Sequence, residues 1–217
     1  MRVLLATTNR HKAREIAAIL APFGLEVEVP DALPPVVEDG DTFAENAYRK
    51  AASAAKATGR PALADDSGIT VPALGGAPGV RSARYAGEHA TDAMNTDRLV
   101  AEVAAQGLVD PPAAFVCHAA LVAPDGRVIA RAEARVEGVV RGPPREGNGF
   151  GYDPVFHYTG PLHPPPGVRF SDLSPAQKDA ISHRGQAFRA LAAAVADVTS
   201  REGRQVPEPP PYNPTRP

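Results

Sequence analysis

Apolar residues along this chain fall into short runs whose spacing changes from segment to segment. "RVLLA" (residues 2–6) is an unbroken apolar run and predicts a buried first strand. "TTN" follows with capping side chains, and "HKAREIAAILAPF" places Ile16, Ile19, Leu20 and Phe23 on one helical face. "LEVEV" (25–29) alternates as a strand. Residues 42–59 predict an alanine-rich helix stopped by Gly59, with Thr42 and Glu45 spaced as a capping box. "PALADD" predicts a short strand, followed by turn chemistry at Ser67 and Gly68. Residues 91–107 predict a helix capped by Thr91. "AAFVCHAALVA" and "RVIARAEARVEGVV" predict two strands joined by a hairpin at "PDG", and "DPVF" a further short strand. Ser174 and Pro175 open the next helix, and the last carries Phe188, Leu191 and Val195 along one stripe. Strands and helices interleave while the hairpin is antiparallel, so the expected class is α/β with a mixed sheet.

Composition narrows the function classes. A chain of 217 residues can hold one large domain or two lobes sharing a core. A net charge of −2 leaves no global basic footprint, so no nucleic-acid partner is expected and any anion site must be local. Cys117 is the only cysteine and lies in an apolar run, which excludes an intrachain disulfide and predicts a buried small hydrophobe. No apolar run approaches the roughly 20 residues of a membrane span, and no leader pattern is seen. The expectation is a cytoplasmic protein with no membrane partner. Proline is abundant, at 24 residues, and clusters at 160–170 and 206–217. Residues 201–217 therefore read as an extended or disordered tail behind a folded domain of residues 1–200.

Two adjacent acids, Asp65 and Asp66, end an apolar run. Burying a carboxylate costs several kcal/mol unless it is paired, hydrogen-bonded or bound to a metal. The pair is therefore a solvated turn or a cation site. Strand side chains alternate between faces, so both acids can enter one site only if the Ser67-Gly68 turn twists them. Glu38 has no structural task and could supply a second ligand; oxygen ligands with a phosphate substrate favour Mg²⁺. "ATTNRHK" (6–12) sets a helix start and a lysine where an anion could bind, or else Thr8 or Asn9 simply caps the helix with Lys12 solvated. Asn46 and Lys50 share a helix face. "GNGFGYDPVF" (147–156) offers Phe150 and Tyr152 to sandwich a base, or an aromatic-anchored hairpin turn. "SHRG" (182–185) places His183 and Arg184 at a helix start, the commoner reading being a solvated terminus.

In this order the stretches "ATTNRHKAREI", "DGDTFAENAYRKA", "ADDSGI", "GGAPGVRSARYAG", "GFGYDPVF" and "LSPAQKDAISHRGQA" resemble one family, the inosine/xanthosine triphosphate pyrophosphatases. The match spans residues 6–187. It implies Mg²⁺-dependent hydrolysis of noncanonical purine nucleoside triphosphates (ITP, dITP, XTP) to monophosphate and pyrophosphate. The implied fold is a two-lobed α/β structure on a long mixed sheet, a homodimer with its cleft between the lobes. By position, Thr7, Thr8, Asn9, Arg10, His11 and Lys12 correspond to the triphosphate cradle, and Lys50 to a further phosphate ligand. Glu38 and Asp66 correspond to the metal-binding acids, Asp66 also to the proton acceptor. Ser67 and Phe150, Gly151, Tyr152 and Asp153 correspond to substrate contacts, and Lys178, His183 and Arg184 to base and phosphate contacts. Asp172 departs from the pattern, standing where the family more usually has glutamate. A related pyrophosphatase for other modified nucleotides, and a purine nucleotide-binding module without catalysis, are the alternatives.

Overall fold

The computed structural model describes residues 2–30, 32–33, 35–36, 39–161 and 166–202. Glu38, residues 162–165 of the proline-rich loop and residues 203–217 of the expected tail lie outside the described residues. The last helix continues through Arg201 and Glu202, two residues into the stretch read as tail.

Six strands form one mixed sheet in the order β2-β1-β3-β4-β5-β6. These are β1 (Arg2–Leu5), β2 (Glu26–Glu28), β3 (Ala62–Thr70), β4 (Pro112–Val122), β5 (Val128–Val140) and β6 (Phe156–Tyr158). β2, β1 and β3 run parallel; β3 through β6 are antiparallel neighbours. The helices are α1 (Arg10–Leu20), α2 (Phe43–Thr58), α3 (Asp92–Ala105), α4 (Pro175–Ile181) and α5 (His183–Glu202). No described helix is long and apolar enough to cross a membrane.

The period-two alternation of the strands sorts the core. Val3, Leu5, Leu63 and Leu121 meet Ile16 and Leu20 of α1 and Phe188 and Leu191 of α5 on one face. Leu4, Ala64 and Val122 meet Ala47, Ala51 and Ala54 of α2 on the other. Further along the first face, Ile69, Phe115 and Val136 join Leu99 of α3, Phe156 and Phe170 in a second core. On β3, Leu63 belongs to one core and Ile69 to the other, with Asp65 and Ser67 between them on the same face. That polar gap separates the two apolar clusters.

Four local expectations are corrected. β3 does not stop at Asp66 but runs through Ser67 and Gly68 to Thr70. Gly68 serves a close approach, not a turn: a Cβ there would overlap the Ser82 hydroxyl and lie 2.7 Å from the Gly79 carbonyl oxygen. Gly68→Ala should therefore destabilise the fold by about 1–3 kcal/mol, seen as a lower melting temperature. Phe23 is 47% exposed, because α1 gives way to a 3₁₀ turn at Ala21–Phe23, with Pro22 early in it, before Phe23 can join the buried stripe. The capping box is half closed: the Thr42 hydroxyl accepts from the Glu45 amide, but the Glu45 carboxylate accepts from the Asp41 amide. β6 begins at Phe156, since residues 151–155 form turns around the aromatic loop.

Candidate active site

The site begins where a strand is missing. β1 pairs with β3 only at Ala62 and Leu63, and the Ala6 amide adds a last bond to the Leu63 carbonyl, 2.7 Å. Beyond that point, among the described residues, β3 has β4 on one side and no strand on the other. The Ser82 hydroxyl caps the far end of this open edge, 3.0 Å from the Ile69 amide nitrogen. A cleft of about 520 Å³ opens along it. A cleft past a strand's edge receives side chains from both faces. Asp65 and Asp66 therefore both line it without the twist expected at Ser67 and Gly68.

Asp65 points to the α1/α5 side. It is 3% exposed, and its Oδ2 accepts from Lys12 Nζ (3.2 Å) and Ser67 Oγ (3.0 Å), with Arg184 Nε at 3.6 Å. Burial pushes its pKa up, but the charges of Lys12, Arg184 and Lys50 outweigh that and hold it well below the carboxylate range. Lys12 is therefore paired in the cleft, not solvated. Arg184, 3% exposed, donates from Nη1 to Glu15 (2.6 Å) and from Nη2 to Ser67 Oγ (2.8 Å). Lys178 donates to Glu15 (2.9 Å) and Asp153 (2.6 Å). His183 stacks on Phe115 at 4.6 Å, and its Nδ1 has no partner among the described residues. Burial, then the charges of Arg184 and Lys178, drive its pKa well below the usual value and leave it neutral. Both residues are buried, so the reading of "SHRG" as a solvated terminus fails.

Asp66 points to the α2 side. Its Oδ1 accepts from Lys50 (2.9 Å) and its Oδ2 from Asn46 (3.2 Å). Asn46 is oriented in turn, because its own oxygen accepts from the Gly40 amide at 2.9 Å. That bond ties Asp66 to the segment just after Glu38.

The aromatic loop closes the far end. The Phe150 ring lies over Lys178 (4.7 Å) and Arg184 (5.5 Å), with the His11 ring 5.5 Å away. Tyr152 lines the cleft but presents little of its ring to it. It is 5% exposed, sits in the second core, and donates its hydroxyl proton to the Ser82 carbonyl (2.8 Å). Gly151, at φ +62°, donates to Asp92 (2.8 Å) and accepts from Thr96 (3.1 Å), both on α3. The Asp153 carboxylate accepts from the Phe150 amide at 2.9 Å. Of the expected cradle, Thr7, Thr8, Asn9 and Lys12 line the cleft, while Arg10 and His11 are exposed and outside its wall. Asn9 caps α1 through the amides of His11 and Lys12. Cys117 is buried, and burial pushes its thiol far above the usual range.

Comparison with known proteins decides the family. The model of the Ham1 family matches residues 3–194. The chain belongs to the Ham1 family. A dITP/XTP pyrophosphatase of Syntrophobacter fumaroxidans is 48% identical over 192 residues, covering 87% of this chain and 79% of that protein. A dITP/XTP pyrophosphatase of Geobacillus kaustophilus is 43% identical, covering 93% and 98%. A solved HAM1 protein from Coxiella burnetii superposes with a TM-score of 0.80 at 39% identity, covering 91% and 99%.

In this Ham1 chain several residues in or behind the cleft wall escaped sequence reasoning. Glu15 pairs with both Lys178 and Arg184, and burial, which raises its pKa, is outweighed by those two charges. Its signal was spacing: Lys12, Glu15, Ile16 and Ile19 share the buried stripe of α1. The helix face that Asn46 shares with Lys50 meets Asp66, whereas Asp92 carried no signal beyond polarity on a helix. Asp179, beside Lys178 on α4, is pushed up to about 6 by burial and then by the nearby Glu15 charge. Between its unfolded value of 3.8 and about 6 the native state holds a proton that the unfolded chain does not. Stability from this group is therefore fully present below 3.8 and lost progressively as pH rises from there to about 6. Asp179→Asn should raise stability at pH 7.5 by about 1 kcal/mol, after allowance for solvent screening. It should give no such gain near pH 3, below the unfolded value. Melting curves of both proteins at the two pH values check this.

Proposed function

We propose that this chain hydrolyses noncanonical purine nucleoside triphosphates (ITP, dITP, XTP) to the monophosphate and pyrophosphate. The observation that carries the reading is the open edge of β3, which brings two carboxylates from opposite faces to one cleft. Each meets different cations: Asp65 meets Lys12 and Arg184, Asp66 meets Lys50. The naming of its relatives as dITP/XTP pyrophosphatases supports the substrate class.

The residues divide the work by position. Thr7, Thr8, Asn9 and Lys12 at the start of α1, with Lys50 of α2, receive the phosphate chain, favoured by the helix dipole and lysine charge. Asp66 takes the proton of the attacking water, oriented by Asn46 and Lys50. Arg184, Lys178 and neutral His183 meet the base beneath Phe150, with Ser67 and Asp153 completing the polar lining. A guanidinium has only donors, so it suits the 6-keto oxygen of inosine and xanthosine and opposes the 6-amino group of adenosine.

The donor set fits Mg²⁺ carried in on the nucleotide. Among the described residues no three acids, histidines or cysteines gather into a metal cage. Mg²⁺ ordinarily uses one or two carboxylates plus phosphate oxygens. Asp66, with Glu38, would hold it, and it would neutralise charge on the phosphates. Cytoplasmic location and a homodimer complete the proposal. The test is kcat/KM for ITP, dITP, XTP, GTP and ATP with and without Mg²⁺. Faster turnover of the first three, with all turnover lost in EDTA, is expected. Tight purine triphosphate binding with no turnover would instead mark a binding module.

A further inference from the structure

We infer that Asp65 couples the phosphate end of the cleft to its base end, so that base discrimination depends on the phosphate chain. The inference rests on the proposed roles of Lys12 and Arg184. One oxygen, Oδ2 of Asp65, accepts from Lys12 at 3.2 Å and from Ser67 at 3.0 Å. A carboxylate oxygen offers about two lone pairs, and both are taken. The third donor, Arg184 Nε, stands at 3.6 Å, beyond hydrogen-bonding distance, and is buried without a partner among the described residues. The guanidinium is otherwise held at Nη1 by Glu15 and at Nη2 by Ser67.

Lys12 belongs to the α1 start and Arg184 to the α5 start, so Asp65 contacts a cation from each. A triphosphate competes with Asp65 for Lys12. When Lys12 turns to the phosphates, a lone pair on Oδ2 is released to Arg184 Nε. The arginine gains its third anchor and its free N–H groups are fixed toward the base. By linkage, a base that engages Arg184 strengthens the hold on the phosphates equally. Asp65 is thus a positioning residue, acting through Arg184.

The test is equilibrium affinity for ITP, ATP, IMP and AMP, measured in EDTA so that turnover does not intervene. In the wild type, the preference for ITP over ATP should exceed that for IMP over AMP by about 5-fold or more, the lower end of ordinary coupling. Asp65→Asn should make the two preferences equal by lowering that for ITP over ATP to the level of IMP over AMP. Lys12→Met should close the gap from the other side: affinity falls, but the IMP preference rises to the level that the wild type reaches only with triphosphates. A purely structural role for Asp65 would not give these opposite signs. If Asp65→Asn does not fold, Lys12→Met decides alone. Equal preferences in the wild type, or an unchanged gap in a folded variant, overturn the inference. A wild type that shows no preference for ITP over ATP overturns instead the proposed function on which it rests.

Discussion

Asp66→Asn is expected to lose most turnover while keeping its fold. The substitution preserves size at a buried site, so Asn46 and Lys50 still have a partner of the right shape. It removes the proton acceptor and a negative charge. General-base assistance contributes about 10²- to 10⁴-fold, and kcat should fall by at least the lower figure at saturating Mg²⁺. A replacement amide must also turn its NH₂ toward either Lys50 or the Asn46 amide, donor to donor, which disturbs the site further. Near-wild-type kcat, with an unchanged melting temperature, would remove Asp66 from the chemistry.

Arg184→Lys is expected to lower kcat/KM for ITP and XTP sharply and to narrow their margin over ATP. The guanidinium spans Glu15 and Ser67 at once, and an ammonium cannot reproduce that fork. A hydrogen bond to a charged group contributes about 1.5–3 kcal/mol. Losing one such contact to the base costs roughly 10- to 100-fold. Guanine shares the 6-keto group, so the margin between ITP and GTP should change much less. An unchanged ratio of ITP to ATP would assign Arg184 to phosphate or structure instead.

The parts of the fold legible in the sequence are those set by local period. Ile16, Ile19 and Leu20, and later Phe188, Leu191 and Val195, fall on buried stripes as their spacing requires. Phe23 breaks from its stripe because Pro22 tightens the chain into a 3₁₀ turn first. Gly68 read as a turn because glycine signals both turns and close contacts, and only the position of Ser82 separates them. The site followed the same rule. Alternation correctly put Asp65 and Asp66 on opposite faces, but no local pattern reveals that β1 stops at Leu5 and leaves an edge open to both. The pairing of Glu15 with Lys178 and Arg184 joins residues more than 160 positions apart and exists only in the folded chain. Tyr152 looked like a stacking plate because its type suits one, yet the second core claims its ring.

The central claim is that the cleft beside β3 cuts between the α and β phosphates of a purine triphosphate. Phosphorus-31 NMR of ITP turnover in Mg²⁺ tests it most directly, since it identifies the leaving group. The account predicts that IMP and pyrophosphate appear together in equal amounts, with no diphosphate at any time. Release of orthophosphate with accumulation of IDP would contradict it.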